Sequence, residues 1–342
     1  MHMADALISP VVGGTLWAAT AGMTAYCATK ISKEKNDSLD SYKIENYEKK
    51  IPLMGVMGAF VFASQMINFT IPGTGSSGHI GGGILLASLL GPEAGFLTIA
   101  SVLLIQCLFF ADGGLLAYGC NVINMGFFAC FIAYPLIYKK IMKGNYTTSK
   151  IFISSILSVV IGLQLGAFGV VMETLVSGIS ELPFSTFVAL MQPIHLAIGL
   201  VEGILTGCVL SFVYNARPEL LDNKQKEGGK MTFKGIVTTL AVITLIIGGG
   251  LSLVASSNPD GLEWAIFNVT GKEELKSDSK TSEVLSGIQE TTAFLPDYSF
   301  KDSEGEVGTT VSGIVGSAIT LGVCALVGIG LHKSKQKSHK AN

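Results

Sequence analysis

The stretch IFISSILSVVIGLQLGAFGVVMETLV, residues 151–176, contains a single acidic residue and no basic one. A helix rises about 1.5 Å per residue, so a run of this length crosses the roughly 30 Å hydrocarbon core of a bilayer. Only helices and closed barrels satisfy their own backbone groups in lipid. The run lacks the strict alternation of a barrel strand, so it reads as a helix. Comparable apolar runs recur at 7–29, 53–71, 96–111, 115–141, 194–213, 236–255 and 311–331. The whole chain agrees: 342 residues, 49% hydrophobic, 14% charged, mean hydropathy +0.53. That is more apolar and less charged than a soluble domain. The expectation is an all-α integral membrane protein.

Charge orients the runs. Lys30, Lys33, Lys35, Lys43, Lys49 and Lys50 follow the first run; Lys139, Lys140, Lys143 and Lys150 form a second basic loop. Arg217, Lys224, Lys226, Lys230 and Lys234 form a third, and Lys333, Lys335, Lys337 and Lys340 a basic tail. The positive-inside tendency places all four in the cytoplasm. The loop 256–309 is acid-rich and belongs outside. No Lys or Arg precedes the first run, so it does not read as a signal peptide. Met1 is expected to stay, external, because His2 is not small. Between the first two basic loops the crossings must be even in number, which makes 79–90 a crossing. At about 18 Å it is too short to span unless it starts below the membrane surface. Residues 68–78 would then be irregular backbone sunk into the protein, which is tolerated only when buried or lining a cavity. The predicted architecture is a seven-helix bundle with its N-terminus outside, then two transmembrane helices flanking an external loop. In residue terms these are a bundle over 1–216, a linker 217–234, a two-helix unit 235–332 and a tail 333–342, in a multi-pass plasma-membrane protein of a bacterial cell.

The chemistry-bearing residues are few. Met1-His2 offers three nitrogens within chelating reach: the terminal amine, the His2 amide and the His2 imidazole. Of the other histidines, His332 and His339 sit in the basic tail and read as solvated. His79 is expected to open the short helix after the sunken Gly/Ser loop, either as a structural hydrogen-bonder or as a fourth nitrogen. Four nitrogens in a plane suit Ni(II) or Cu(II). Ligating imidazoles usually donate their second N–H, so Asn68, Ser76 and Ser77 are candidates to orient His79, and Asp5 to orient His2. His195 and Glu202 are seven apart, hence on one helix face about 10 Å apart, and read as packing or as support for the site. Asp112 reads as a surface turn, Glu93 as a charge at a helix start, and Glu173 lies near an external helix end. The six cysteines form no Cys-x-x-Cys pair and read as packing residues. Gly14, Ala18, Gly22 and Ala25 line one side of the first helix, for a partner or for internal packing. No phosphate-binding loop, acid–base constellation or inverted repeat of broken helices appears. The chain therefore does not read as an enzyme or as its own energy source, and nothing suggests nucleic-acid binding.

Met1-His2-Met3-Ala4-Asp5-Ala6-Leu7-Ile8-Ser9-Pro10 resembles the Met-His-Ile-Pro-Asp-Gly-x-x-Ser-Pro opening of the CbiM/NikM family. Those are substrate-binding membrane subunits of cobalt and nickel energy-coupling factor transporters. Residues 65–83, QMINFTIPGTGSSGHIGGG, resemble the family's Gly-rich loop and its His. Leu90-Gly91-Pro92 and the segment from Pro193 through His195 and Gly199 to Glu202 resemble two further motifs. The departures are Ala4, Ala6, Thr70 and a one-residue shift in the loop. The resemblance covers about the first 215 residues. It implies that the Met1 amine, the His2 amide and imidazole, and His79 hold the metal, which is cargo rather than a resident cofactor. It also implies a transmembrane coupling subunit and paired cytoplasmic ATPases as partners. Asn258-Pro259-Asp260-Gly261-Leu262-Glu263-Trp264-Ala265 and Phe294-Leu295-Pro296-Asp297-Tyr298 resemble the PDGLE (NikN-like) accessory domain, which nickel systems can fuse to the binding subunit. On its own, Pro259-Asp260-Gly261 would be a turn. The expectation is a capture subunit for Ni(II) in preference to Co(II). The alternatives are Co(II) uptake for cobalamin synthesis, a proton-coupled secondary carrier, and a membrane metalloenzyme using Glu202 as base.

Overall fold

The computed structural model describes residues 1–36, 41–180, 182–222, 229–272, 275, 277, 279–300 and 306–333. The basic tail beyond Lys333, with His339, lies outside them, as do Lys224 and Lys226. The chain is built from helices α1 (Pro10–Asn36), α2 (Ser41–Gln65), α3 (Gly83–Leu90), α4 (Pro92–Phe110), α5 (Tyr118–Ile141), α6 (Thr148–Ser177), α7 (Phe184–Ala216), α8 (Phe233–Gly249), α9 (Gly261–Thr270), α10 (Lys280–Thr292) and α11 (Glu306–Lys333). Most of α5, Ile123–Tyr138, is wound as a π-helix containing Pro135. Among the described residues, α4, α5, α6, α7 and α11 are long and apolar enough to cross a membrane, and α8 is a shorter apolar helix.

Two expectations need correcting. The segment 68–78 is not irregular: β1 (Phe69–Ile71) and β2 (Ser76–Gly78) pair antiparallel, Phe69 opposite Gly78. The strands of this hairpin pair their backbone groups with each other, and only Ile71 and Ser76–Gly78 are buried: the turn, with Pro72, Gly73 and Gly75, is exposed rather than sunk. Nor does His79 open the short helix. That helix starts at Gly83, because Gly82 sits at φ +79°, a left-handed turn that interrupts α3 on its N-terminal side. A side chain at Gly82 would also strike Val61. His79 is thereby held on non-helical backbone between hairpin and helix.

α6 packs along α7 and α5, while α11 packs along α2 and α8. Gly199, Gly203 and Gly207 let α7 close onto the backbone and side chains of α6. The core runs through α3 and α4 and takes in the start of the chain: Met3, Leu7 and Ile8 are fully buried with Phe62, Phe96 and Phe110. The outward faces of the long helices are apolar, with Ile153, Leu157, Leu200, Leu245 and Leu326 exposed. Gly14, Ala18, Gly22 and Ala25 are also exposed, which removes the internal-packing reading of that stripe. Five of the six cysteines are buried as expected, and Cys208 is exposed.

Candidate metal centre

The chain start is anchored before it reaches the site. Met3 exchanges hydrogen bonds with the Asn121 side chain, its N–H donating to Oδ1 (2.8 Å) and its carbonyl accepting from Nδ2 (3.2 Å). The Met3 carbonyl also accepts from the Gly114 N–H at 2.8 Å. Asp5 begins a short 3-10 turn, Asp5–Leu7, and its Oδ1 accepts from the Ala117 N–H at 3.0 Å. The terminus is thus stitched to the α4–α5 connection, and Met1 and His2 project inward.

There the terminal amine meets His79 Nε2 at 2.7 Å. The other nitrogen of that ring, Nδ1, faces the Ile80 carbonyl at 3.0 Å. Only a protonated nitrogen can donate to a carbonyl, so Nε2 presents its lone pair to the amine. The His2 ring stacks on that of His79, centroids 5.0 Å apart and planes 19° apart. His2 Nδ1 lies 3.2 Å from Asp112 Oδ1. Asp112 Oδ2 accepts a 2.5 Å hydrogen bond from the Tyr298 hydroxyl, which in turn accepts from Gln106 Nε2 at 3.1 Å. Asp112 does sit in the turn that follows α4, and its carboxylate is aimed at His2.

The second carboxylate comes from the far end of the chain. Asp260 Oδ2 takes a 2.7 Å bond from the Met1 amine across 259 residues and lies 3.9 Å from His79 Nε2. Its Oδ1 accepts from the N–H groups of Leu262 and Glu263, capping α9, and the Asp260 N–H donates in return to Glu263 Oε2. This is the reciprocal capping box. Burial pushes the His2 imidazole down to about 3 and that of His79 to about 3, with the adjacent terminal charge acting in the same direction. Burial alone would raise the Asp260 carboxyl; the terminal amine and His79 outweigh it and hold the group below the usual carboxylate range. The centre thus holds two neutral imidazoles, an ammonium and a counter-charge. A cavity of about 320 Å³, bordered by His2, Asp112, Asp260 and Glu263, leads to it.

The supporting residues expected from the sequence do something else. Asn68, Ser76 and Ser77 make no hydrogen bond to His79 among the described residues. Ser77 grips the accessory segment, its N–H donating to the Pro259 carbonyl (2.8 Å) and its hydroxyl to that of Asn258 (2.7 Å). The Asn68 carbonyl accepts from Ser256 N–H, and the Ser76 hydroxyl donates to the Ser77 carbonyl. Asp5 braces Ala117 rather than His2. His195 and Glu202 are buried on one face of α7. His195 Nδ1 donates to Met191 O at 2.8 Å, and Glu202 Oε1 accepts from the Gly82 N–H at 2.9 Å. Glu202 thereby fixes the turn that ends the His79 segment. Asp260, Asp112 and Tyr298 escaped the sequence reading. One signal pointed toward an acid: a buried ammonium requires a counter-charge.

A family model for the cobalt uptake substrate-specific transmembrane region, CbiM, matches residues 2–220, and one for the PDGLE domain matches 234–333. The chain belongs to the CbiM family, with a PDGLE domain following. Among relatives of CbiM type, the fused nickel transport protein NikMN of Archaeoglobus fulgidus is 33% identical over 321 residues, 94% of this chain and 96% of that one. The cobalt transport protein CbiM of Sorangium cellulosum is 28% identical over 232 residues, 66% of this chain and 96% of its own. A crystal structure of a transition metal transporter is 30% identical with a TM-score of 0.51, covering 62% of this chain and 92% of that one. This CbiM-family chain is a multi-pass membrane protein of metal uptake, a transporter rather than an enzyme.

Proposed function

We propose that the chain is the substrate-capture subunit of an ATP-driven energy-coupling factor importer, with Ni(II) as cargo ahead of Co(II). The ligands are the Met1 amine, the His2 amide and imidazole, and His79 Nε2. The observation that carries this reading is the buried 2.7 Å approach of the amine to His79 Nε2. Two cis nitrogens in a square plane, each about 2.0 Å from a metal, are about 2.8 Å apart. In this reading the metal displaces the ammonium and amide protons, entering from outside past the acidic cavity. The fused nickel relative and the PDGLE domain support nickel. A coupling subunit and paired ATPases then supply the energy, consistent with a chain that carries no phosphate loop of its own. The exposed Gly14–Ala25 stripe is available to the coupling subunit. The bundle of seven helices, its external N-terminus and the cytoplasmic C-terminus belong to the same reading, as do the domain limits at 216, 235 and 332.

The test is equilibrium binding of Ni(II) and Co(II) to the purified chain beside His2→Ala, His79→Ala and a variant with one residue added before Met1. Each variant should lose tight binding. Undiminished affinity in all three would refute the site. Uptake by vesicles containing this chain alone, collapsing with the proton gradient, would refute the ATP-driven class.

A further inference from the structure

The accessory domain reaches the metal centre through one residue whose carboxylate is split between two tasks. Asp260 Oδ1 is fully employed in capping α9, accepting from Leu262 and Glu263. A cap of this kind works as well on an exposed helix end and gives no reason to bury the carboxyl. Yet Asp260 is 8% exposed, and Oδ2 turns away from the helix to the Met1 amine. Three further contacts fix it there. Ser77 holds the Asn258 and Pro259 carbonyls. Trp264 Nε1 donates to the Thr74 carbonyl at 3.0 Å. Gly261 lies so close to α7 that a side chain would meet Ile198 and His195. Ser77 and Thr74 belong to the hairpin that leads directly into His79. The group that holds the amine and the imidazole that faces it are therefore referenced to one short piece of backbone.

We propose that Asp260 is a positioning residue of the metal centre: it anchors the Met1 amine beside His79 so that the two nitrogens already stand at the spacing of neighbouring metal ligands. This rests on the site reading above. An amine that ligates a metal keeps two N–H bonds, so the same Asp260 oxygen can accept from it before and after metal arrives. The accessory domain then supplies part of the capture site, and the terminus, otherwise a segment prone to fray, is held in one pose. Preorganisation of this kind lowers the ordering cost of binding.

Asn is as good an N-cap as Asp, so Asp260→Asn keeps the cap and removes the ionic anchor, while Asp260→Ala removes both. The measurements are Ni(II) affinity, the visible ligand-field spectrum of the Ni(II)-loaded full chain, and the melting temperature of the metal-free chain. Asp260→Asn should bind Ni(II) about 10–100-fold more weakly, the range found for groups that orient ligands. Its spectrum should shift away from a planar nitrogen set, with melting close to the parent. Parental affinity and spectrum in Asp260→Asn, with binding lost in His79→Ala, would overturn the proposal. So would weakening in Asp260→Ala alone, which would leave Asp260 a helix cap only. If the parent itself does not bind, or His79→Ala binds as the parent does, the site reading fails instead.

Discussion

The two ends of α4 each carry a carboxylate that meets a basic group from the start of the chain, and they differ in what surrounds the pair. At the N-terminal end Glu93 pairs with Lys30 of α1, whose side chain is 42% exposed. At the C-terminal end Asp112 meets His2, and beside it the Met1–Asp260 pair has side-chain exposures of 3% and 12%. The first pair keeps water at hand on its lysine side, while the Glu93 side chain is 11% exposed. The second exists only because both partners are desolvated together, so removing one strands the other. A bundle can tether a cation anywhere on its surface; to present neutral nitrogens to a metal it must dry the site and supply the counter-charge itself.

The sharpest way to break this contrast is at the ligands. His79→Ala should abolish high-affinity Ni(II) binding, read by equilibrium titration, a larger loss than the ~10–100-fold of an orienting group. Gly261→Val comes next. The new side chain would push the Asp260 segment off Ile198 and His195, and Ni(II) binding should weaken at least as far as in Asp260→Asn, measured in the same titration.

Acid should act on the buried end. His2 and His79 sit at about 3 against an ordinary 6.5, so below about 6.5 the unfolded chain takes up protons that the folded chain does not. Stability of the metal-free protein should fall as pH drops from about 6.5 toward 3, with Asp260 adding to the loss below the ordinary carboxylate value of 3.8, where the unfolded chain's carboxyl takes up a proton that the folded one refuses. Melting temperature against pH reads this out, and His79→Gln should flatten the profile. A profile already flat in the parent would mean the imidazoles are not dry.

Tyr298→Phe removes the hydroxyl that fixes Asp112 and should weaken Ni(II) binding less than the Asp260 variants, with fold intact because the Phe110 ring stack remains. Smallest of all in its effect on the site, Lys30→Ala should leave metal affinity unchanged while lowering the melting temperature, because the buried Glu93 loses that partner. A loss of metal binding there would couple the two ends and dissolve the comparison.

Much of the fold was legible residue by residue. The apolar runs and the turn at Gly91-Pro92 are local properties, and helix after helix follows them; the start of α3 at Gly83 was missed, because the left-handed turn at Gly82 ends a stretch that reads as helix from His79. The nitrogens proposed as ligands came from the sequence too, because the spacing of the Met1 and His2 nitrogens is a matter of covalent connectivity, and the structure brings the Met1 amine and His79 together. The supporting groups were not legible. Ser77 reads as an obvious partner for His79 two residues on, yet it binds Pro259 and Asn258; Asp5 reads as a partner for His2, yet it braces Ala117. Proximity in the chain misled because short polar side chains take whichever partner the fold brings within 3 Å.

By itself, then, the sequence determined a helical membrane protein, since apolar length belongs to neighbouring residues, and its motifs carried the resemblance to metal-uptake proteins and the reading of Met1-His2 as a ligand pair. Only the tertiary structure decided that Asp112, Tyr298 and Asp260 close around that start. A buried ammonium must find its counter-charge wherever packing delivers one, and here packing delivers it from 259 residues away.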